Sequence, residues 1–381
     1  MSTSLETLRR QYLSLYPIYL ISLPPSQILA AEQSQQYLVN QLLGERYQPE
    51  DEYRRKFWRK VVDGMEVGLR ELGDEDLEID ERFYDLLTEL MVSSNDAGPS
   101  TGPKTSYRTF IYDVPPNIPL GDLSNRDEQK QKQEGKIVLL EEQIAIQGGT
   151  TGLRTWTAAL HLAHHILSHP RLIFPNQREL QNGTVELGAG TGFLSILLAQ
   201  LGVDVISTDL GIESESNSEV DGEDEVEFGQ DQDGKTRTPL GRLRYNVQLN
   251  DDQSHSRTAV RALDWTDASL PLRDRPGIWR DLDKKRRTII AADVIYDPDL
   301  VPPLVDTIDV LLGEKNQAII SATVRNRETF EIFLDTCQQH NLQVRSIDVP
   351  PMDDSMPSFW DSALDKGTEV KIMRITRGNR L

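Results

Sequence analysis

The stretch Thr184-Val185-Glu186-Leu187-Gly188-Ala189-Gly190-Thr191-Gly192-Phe193-Leu194-Ser195-Ile196-Leu197-Leu198 changes its structural period midway. Thr184 to Leu187 reads as a short buried strand. Glycines at alternate positions then make a tight turn, after which Phe193, Ile196, Leu197 and Leu201 fall at helical spacing. Strand, glycine turn and helix open a βαβ unit of the nucleotide-binding kind. Glycine lets backbone approach a ligand closely, and the helix N-terminus offers free N–H groups. Val203 to Asp209 reads as a second strand ending in an acid. Asp209 lies about twenty residues past the first glycine, where a carboxylate reaches ribose hydroxyls.

Spacing separates two ligand classes. Gly188, Gly190 and Gly192 read G-x-G-x-G, whereas the dinucleotide fingerprint is G-x-G-x-x-G. Glu186, just before the turn, is ill suited to a pyrophosphate and well suited to an amine or sulfonium cation. A glycine-rich turn without a ligand is the plain alternative.

At 381 residues the chain is long enough for two domains and a sizeable core. Hydrophobic residues make up 38% of it and mean hydropathy is -0.47, which describes a soluble protein with non-globular stretches. No apolar run approaches the ~20 residues that span a bilayer. The start, Met1-Ser2-Thr3-Ser4, lacks the basic-then-apolar layout of a signal peptide. A single cysteine, Cys337, excludes an intramolecular disulfide and fits a reducing, cytoplasmic setting. A formal net charge of -20 repels nucleic acid and anionic membranes, so the expected partner is a basic protein surface. A monomer is expected.

Residues 1–95 read as a helical region. Leu5, Leu8, Tyr12, Leu15 and Tyr16 form a stripe that Pro17 ends. A helix from Ile28 to Leu43 is expected to stop at Gly44. Tyr53, Phe57, Val61, Met65 and Leu69 line another, from Glu52 to Leu72, before Gly73, and Phe83 to Met91 is a fourth. These aromatic stripes fit a core; a docking surface for a protein substrate is the other reading. Residues 96–106 have the composition of a linker, and 107–381 are expected to form the second domain. Its first strands are expected at Tyr107–Tyr112 and as a hairpin of Lys136–Leu140 with Ile144–Gln147.

A helix from Trp156 to Leu167 carries His161, His164 and His165, with His169 beyond. That spacing suits a metal on one face, but no H-E-x-x-H glutamate accompanies it and no metal site is expected. Residues 212–238 are acidic, Ser-rich and nearly free of apolar groups, the composition of a disordered insertion. Strands are expected at Thr258–Ala262, Thr288–Asp293, Gln317–Thr323, Val344–Val349 and Glu369–Ile375, and helices at Leu240–Leu249, Leu300–Leu312 and Glu328–His340. The alternation argues for an α/β fold, a parallel sheet with helices on both faces. It brings the glycine turn, Asp209, Asp264-Trp265 and Ala292-Asp293 together at strand C-terminal ends, where such sheets bind ligands.

Four pieces carry a family resemblance: Arg154-Thr155-Trp156, Glu186-Leu187-Gly188-Ala189-Gly190-Thr191-Gly192, Leu263-Asp264-Trp265, and Ala292-Asp293-Val294-Ile295-Tyr296-Asp297 with its D-x-x-Y pattern. On these the chain resembles the seven-β-strand protein-lysine N-methyltransferases. Leu13-Ser14-Leu15-Tyr16-Pro17 and Gly149-Thr150-Thr151-Gly152-Leu153-Arg154-Thr155-Trp156 are similar to the elongation factor 2 lysine methyltransferase branch. The resemblance covers most of the chain outside 212–238. It implies a Rossmann-like seven-stranded sheet with an N-terminal helical region, S-adenosyl-L-methionine as cofactor, and elongation factor 2 as protein substrate. It further implies that Trp156, Gly188, Ala189, Gly190, Asp209, Trp265 and Ala292 line the cofactor, with Asp209 at the ribose and Trp265 by the adenine. Glu186 joins them through the cation argument above. Asp293 and Tyr296 are implied to face the incoming lysine.

Methyl transfer is an in-line displacement, helped mainly by alignment and desolvation. Lysine, with an ordinary pKa of about 10.4, must first lose its proton. Asp293 is expected to orient the amine and Tyr296 to offer a ring face or hydroxyl, leaving water to accept the proton. Core packing is the alternative for Tyr296 and for Trp265. Two other functions stay open. One is a non-catalytic binding module, against which Asp209 and the intact glycines speak. The other is methylation of a small molecule, an RNA or a different protein; the lack of an Asn-Pro-Pro-Tyr motif after the fourth strand argues against nucleobase amino groups.

Overall fold

A computed structural model of the chain describes residues 4–74, 76–96, 105–115, 134–142, 153–211, 238–283, 287–353, 357–361 and 367–378. The chain divides into two compact units. One holds Met1–Tyr112, Lys136–Ala145 and Met356–Leu364; the other holds Asp113–Gly135, Ile146–Ser355 and Asp365–Leu381.

Aromatic stripes build the first unit. α1 (Leu5–Leu13) starts under the Ser4 hydroxyl, which accepts from the Thr7 N–H. The run expected as one helix over Ile28–Leu43 is instead α2 (Ser26–Ala30), α3 (Glu32–Leu38) and a π-helical turn at Val39–Leu43. The chain goes extended at Ala31, and the Gln35 side-chain amide donates to the Ala30 carbonyl left over by the break (2.8 Å). α4 (Asp51–Leu72) begins at Glu50, whose carboxylate accepts from the N–H groups of Glu52 and Tyr53, and ends at left-handed Gly73. Phe57, Trp58, Val61 and Met65 of α4 are buried with Leu8, Tyr12 and, from α5 (Glu81–Asp96), Phe83. The Trp58 indole N–H donates to the Tyr12 hydroxyl (3.3 Å), which donates to Gln48 (2.8 Å), so both polar tips are satisfied inside the core.

β1 (Thr105–Asp113) and β2 (Glu134–Glu142) form a two-stranded sheet that belongs largely to the same compact unit as these helices. Arg108 accounts for this. It is 1% exposed, its Nε donates to the Ser14 carbonyl (2.7 Å), and its other nitrogens lie 3.4 Å from Glu141 and 3.7 Å from Asp361. A guanidinium this deep needs such partners, and they tie β1 to the N-terminal segment. Residues 97–104 of the expected linker and the expected strand Ile144–Gln147 lie outside the described residues.

The second unit holds a seven-stranded sheet in the order β5-β4-β3-β6-β7-β9-β8. In chain order these strands are β3 (Thr184–Leu187), β4 (Val205–Asp209), β5 (Thr258–Ala262), β6 (Thr288–Ala292), β7 (Ala318–Thr323), β8 (Leu342–Ser346) and β9 (Val370–Arg377). β3 to β7 run parallel. β9 does not: it enters antiparallel between β7 and β8, which corrects the all-parallel expectation. No helix lies between β8 and β9 among the described residues, and a parallel return would need one. From β3 the chain goes one way to β4 and β5, then back across to β6 and β7, which makes β3/β6 the switch point. Register levels the strand ends there: Leu187 lies opposite Thr208 and Ala291.

α6 (Thr157–Ser168), α7 (Pro170–Ile173), α8 (Phe193–Gln200), α9 (Pro239–Gln248), α10 (Gly277–Asp283), α11 (Val301–Leu311) and α12 (Arg327–Gln339) complete the unit. Every residue of α8 is buried, as its all-round apolar sequence requires. Of the expected insertion, 212–237 lie outside the described residues; Thr238 already caps α9, its hydroxyl accepting from the Gly241 N–H (3.1 Å). Among the described residues no helix is long and apolar enough to cross a membrane.

Candidate active site

Past β3 the backbone turns through Gly188, Gly190 and Gly192, at φ of 62°, 55° and 83°. A side chain at Gly188 would place its Cβ 2.9 Å from Val294 Cγ1 and 3.3 Å from the Trp265 ring, so only hydrogen fits where the turn meets the ends of β5 and β6. At Gly192 a Cβ would come 2.6 Å from Leu243 of α9. Thr155 and Thr191 join their hydroxyls at 2.7 Å, fixing the segment before α6 to this turn.

A cavity of about 370 Å³ opens at the switch point. Trp156, Glu186, Gly188, Ala189, Gly190, Asp209, Trp265 and Ala292 line it, and so do Asp293 and Tyr296, so every site residue expected from the sequence meets in one place. Arg154, Thr191, Leu210 and Asp264 line it as well. Three of these adjoin or lie within the quoted motifs and were readable in principle; Leu210 follows Asp209.

Asp209 turns its carboxylate onto the loop. Oδ2 accepts from the Gly190 N–H (2.6 Å) and Oδ1 from its neighbour Leu210 (2.7 Å). Burial pushes this carboxyl up, and those two hydrogen bonds oppose the push. Each oxygen keeps a second lone pair for a ligand hydroxyl.

Glu186 behaves differently from its sequence reading. It is 3% exposed, and its carboxyl is hydrogen-bonded to Ser195, whose hydroxyl is 2.8 Å from that of Ser207. Burial, with the Asp209 charge adding to it, pushes its pKa up to about 8. The Glu186 carboxyl, its charge disfavoured by burial, ties the strand to α8 beneath the turn.

Asp293 was expected as the last residue of a strand. β6 ends one residue earlier, and Asp293 takes a left-handed φ of 59°, which aspartate tolerates better than most residues. Its Oδ1 accepts from the Thr323 N–H (2.9 Å), and Oδ2 from the Thr323 hydroxyl (3.2 Å) and Arg325 Nη2 (2.9 Å). The Arg325 guanidinium also lies over the Trp156 ring, 4.9 Å from its centroid. Nothing in the sequence marked Arg325. Tyr296 is 45% exposed, at the surface and not in the core, whereas Trp265 is half-buried against the core.

The histidines of α6 stack on one another, His165 lying 4.7 Å from His161 and 5.0 Å from His164 by ring centroids. Among the described residues no group of three or more His, Cys, Asp or Glu is placed to hold a metal ion.

The donor set fits S-adenosylmethionine: a turn in which only hydrogen clears the opposite wall, a buried carboxylate with lone pairs to spare beside it, and aromatic rings on the cavity wall. The profile of a family described as lysine methyltransferase matches residues 132–221 and 234–340. The chain is 27% identical over 365 residues to protein-lysine N-methyltransferase EFM3 of Chaetomium thermophilum, covering 94% of each. It is 28% identical over 213 residues to human protein-lysine N-methyltransferase EEF2KMT, 52% of this chain and 53% of that one. Against EFM3 of Saccharomyces cerevisiae it is 24% identical over 203 residues, 51% and 50%. The profile match spans the glycine turn, Asp209 and the D-x-x-Y segment, and with it the chain belongs to the lysine methyltransferase family, as a protein-lysine N-methyltransferase whose cofactor is S-adenosyl-L-methionine.

Proposed function

We propose that the chain methylates a lysine of translation elongation factor 2, with the cofactor seated on the glycine turn and the lysine entering beside Asp293 and Tyr296. The observation that carries this reading is that all ten residues expected from sequence, eight for cofactor and two for substrate, line one cavity. The name EEF2KMT of the human and bovine relatives points to this factor, and a net charge of -20 favours a basic surface. In this reading Asp209 takes the ribose hydroxyls, Trp265 packs by the adenine, and Trp156 and Ala292 close the pocket. When bound, S-adenosylmethionine supplies an electrophilic methyl group that the amine lone pair attacks as the S–C bond breaks toward sulfur. Asp293 orients the amine through the lone pair left on Oδ1, Tyr296 lays its ring against the lysine stem, and water takes the proton.

Incubation with labelled S-adenosylmethionine and a lysate of cells lacking the enzyme tests this. One labelled band at elongation factor 2, with the methyl mapped to a lysine, is expected. Label on another protein or on RNA moves the substrate. Calorimetric cofactor binding with no label anywhere leaves a binding module.

A further inference from the structure

Asp293 and Arg325 pose a charge problem for the reaction. A lone carboxylate beside the lysine stabilises an ammonium ion: opposite charge within about 4–6 Å favours the charged form by about 1–3 pKa units. An ammonium ion has no lone pair and cannot attack a methyl group. Asp293 is not alone, however. Arg325 sits 2.9 Å from its Oδ2 and is held a second time by its stack on Trp156, a residue of the cavity wall. The side chain of Asp293 is only 5% exposed and that of Arg325 36%, so water reaches the guanidinium but screens the carboxylate poorly.

We propose that Arg325 is a positioning and charge-balancing residue: it fixes Asp293 for hydrogen bonding and stops it from trapping the substrate lysine as an ammonium ion. The inference rests on the reading that lysine enters by Asp293 and Tyr296. Arg325 acts in two ways. It spends the Asp293 charge on a cation already present, and its own charge disfavours a second cation nearby. What remains for the lysine is the lone pair on Oδ1, which can accept an amine N–H, while the Arg325 charge offsets the extra pull that a carboxylate has for an ammonium. Arg325 suits this task better than lysine would, because its planar fork can pair with a carboxylate while its face lies on an indole. The other ionisable groups lining the cavity are Arg154, Glu186, Asp209, Asp264 and Tyr296. Beside β7, Glu369 just before β9 and Lys371 on it pair with each other at 3.7 Å.

The test uses the full chain with S-adenosylhomocysteine bound and n-butylamine as the probe cation, titrated at pH 7. Removing the balancing charge in Arg325→Gln should tighten butylammonium binding about tenfold, the equivalent of one unit of the carboxylate's pull. Adding Asp293→Asn should cancel that gain, and Arg325→Lys should keep most of the native behaviour. On the protein substrate, Arg325→Gln should lower KM and kcat together and move the rising limb of kcat with pH upward by about one unit, because the lysine is now held charged. S-adenosylhomocysteine affinity and the thermal midpoint report folding of each variant. If Arg325→Gln leaves butylammonium affinity and the pH limb where they were while Asp293→Asn moves them, Arg325 only props the loop and the proposal is overturned. If neither substitution moves either readout, the lysine-entry reading fails and takes the proposal with it.

Discussion

The glycine-turn side of the cavity and the Asp293 side are made of different material. On the first, the backbone does the work: three glycines at positive φ and the Gly190 N–H held by Asp209. On the second, side chains do it: a non-glycine residue at positive φ whose carboxylate is clamped by Thr323 at the end of β7 and by Arg325 on the loop after it. Backbone sites demand particular residue types at fixed spacing, because only glycine clears the opposing wall. Side-chain clamps demand only that suitable groups meet in space. The first kind is therefore rigid and intolerant, the second adjustable.

Breaking the backbone side should do the most damage. Gly188→Val puts a β-branched residue at a φ of 62° with its Cβ 2.9 Å from Val294, where strain alone costs ~1–3 kcal/mol. Calorimetry should detect no S-adenosylmethionine binding, and a variant that binds normally would mean that the turn is not the cofactor seat. On the other side, Asp293→Ala should slow turnover about a hundredfold, the cost of misplacing a reacting group by ~1 Å, while cofactor affinity changes little. Tyr296→Phe should be milder than Tyr296→Ala, since the ring is kept. Loss of cofactor affinity in Asp293→Ala would erase the distinction between the two sides. Asp209→Ala removes charge-assisted hydrogen bonds worth ~1.5–3 kcal/mol and should weaken cofactor binding about tenfold or more, without loss of fold.

The smallest effect is on stability, and here the two regions slope in opposite directions with pH. Glu186, raised from 4.5 to about 8, holds its proton in the fold; the stability this gives is complete below pH 4.5 and is lost as pH rises through 8. His165, fully buried on α6, is lowered by burial from 6.5 to about 3, and His161 to about 4. These stay neutral in the fold, so their contribution is present above pH 6.5 and is lost as pH falls toward 3. Thermal midpoints across pH 4 to 9 should fall at both ends. Glu186→Gln should flatten the alkaline side and His165→Leu the acid side, each by about 2–4 °C. Flattening at the wrong end would reverse the assignment.

What could be read from sequence follows the same division. Glycine spacing, Asp209 at its distance and the D-x-x-Y segment were legible because each is local and constrained by backbone geometry. The sheet was legible from alternation, but the direction of β9 was not: strand residues look alike in either direction, and only the missing crossover decides it. The hydrogen-bond partners of Glu186 were not legible, because Ser195 and Ser207 become its neighbours only in the fold. Arg325 gave no signal at all. It sits on a loop after β7, and its meaning lies wholly in Asp293 and Trp156, far off in sequence.

The antiparallel strand carries a consequence for how the protein is made. β8 touches the rest of the sheet only through β9, which follows it in the chain. During synthesis β8 leaves the ribosome with no place to dock, and β7 presents an unpaired edge until β9 arrives to fill the gap. The clamp residues Thr323 and Arg325 lie at the end of that same open strand. Before β9 seals it, a nascent chain can have its glycine turn folded and its Asp293 side unfinished, exposed to capture by whatever pairs with a bare strand.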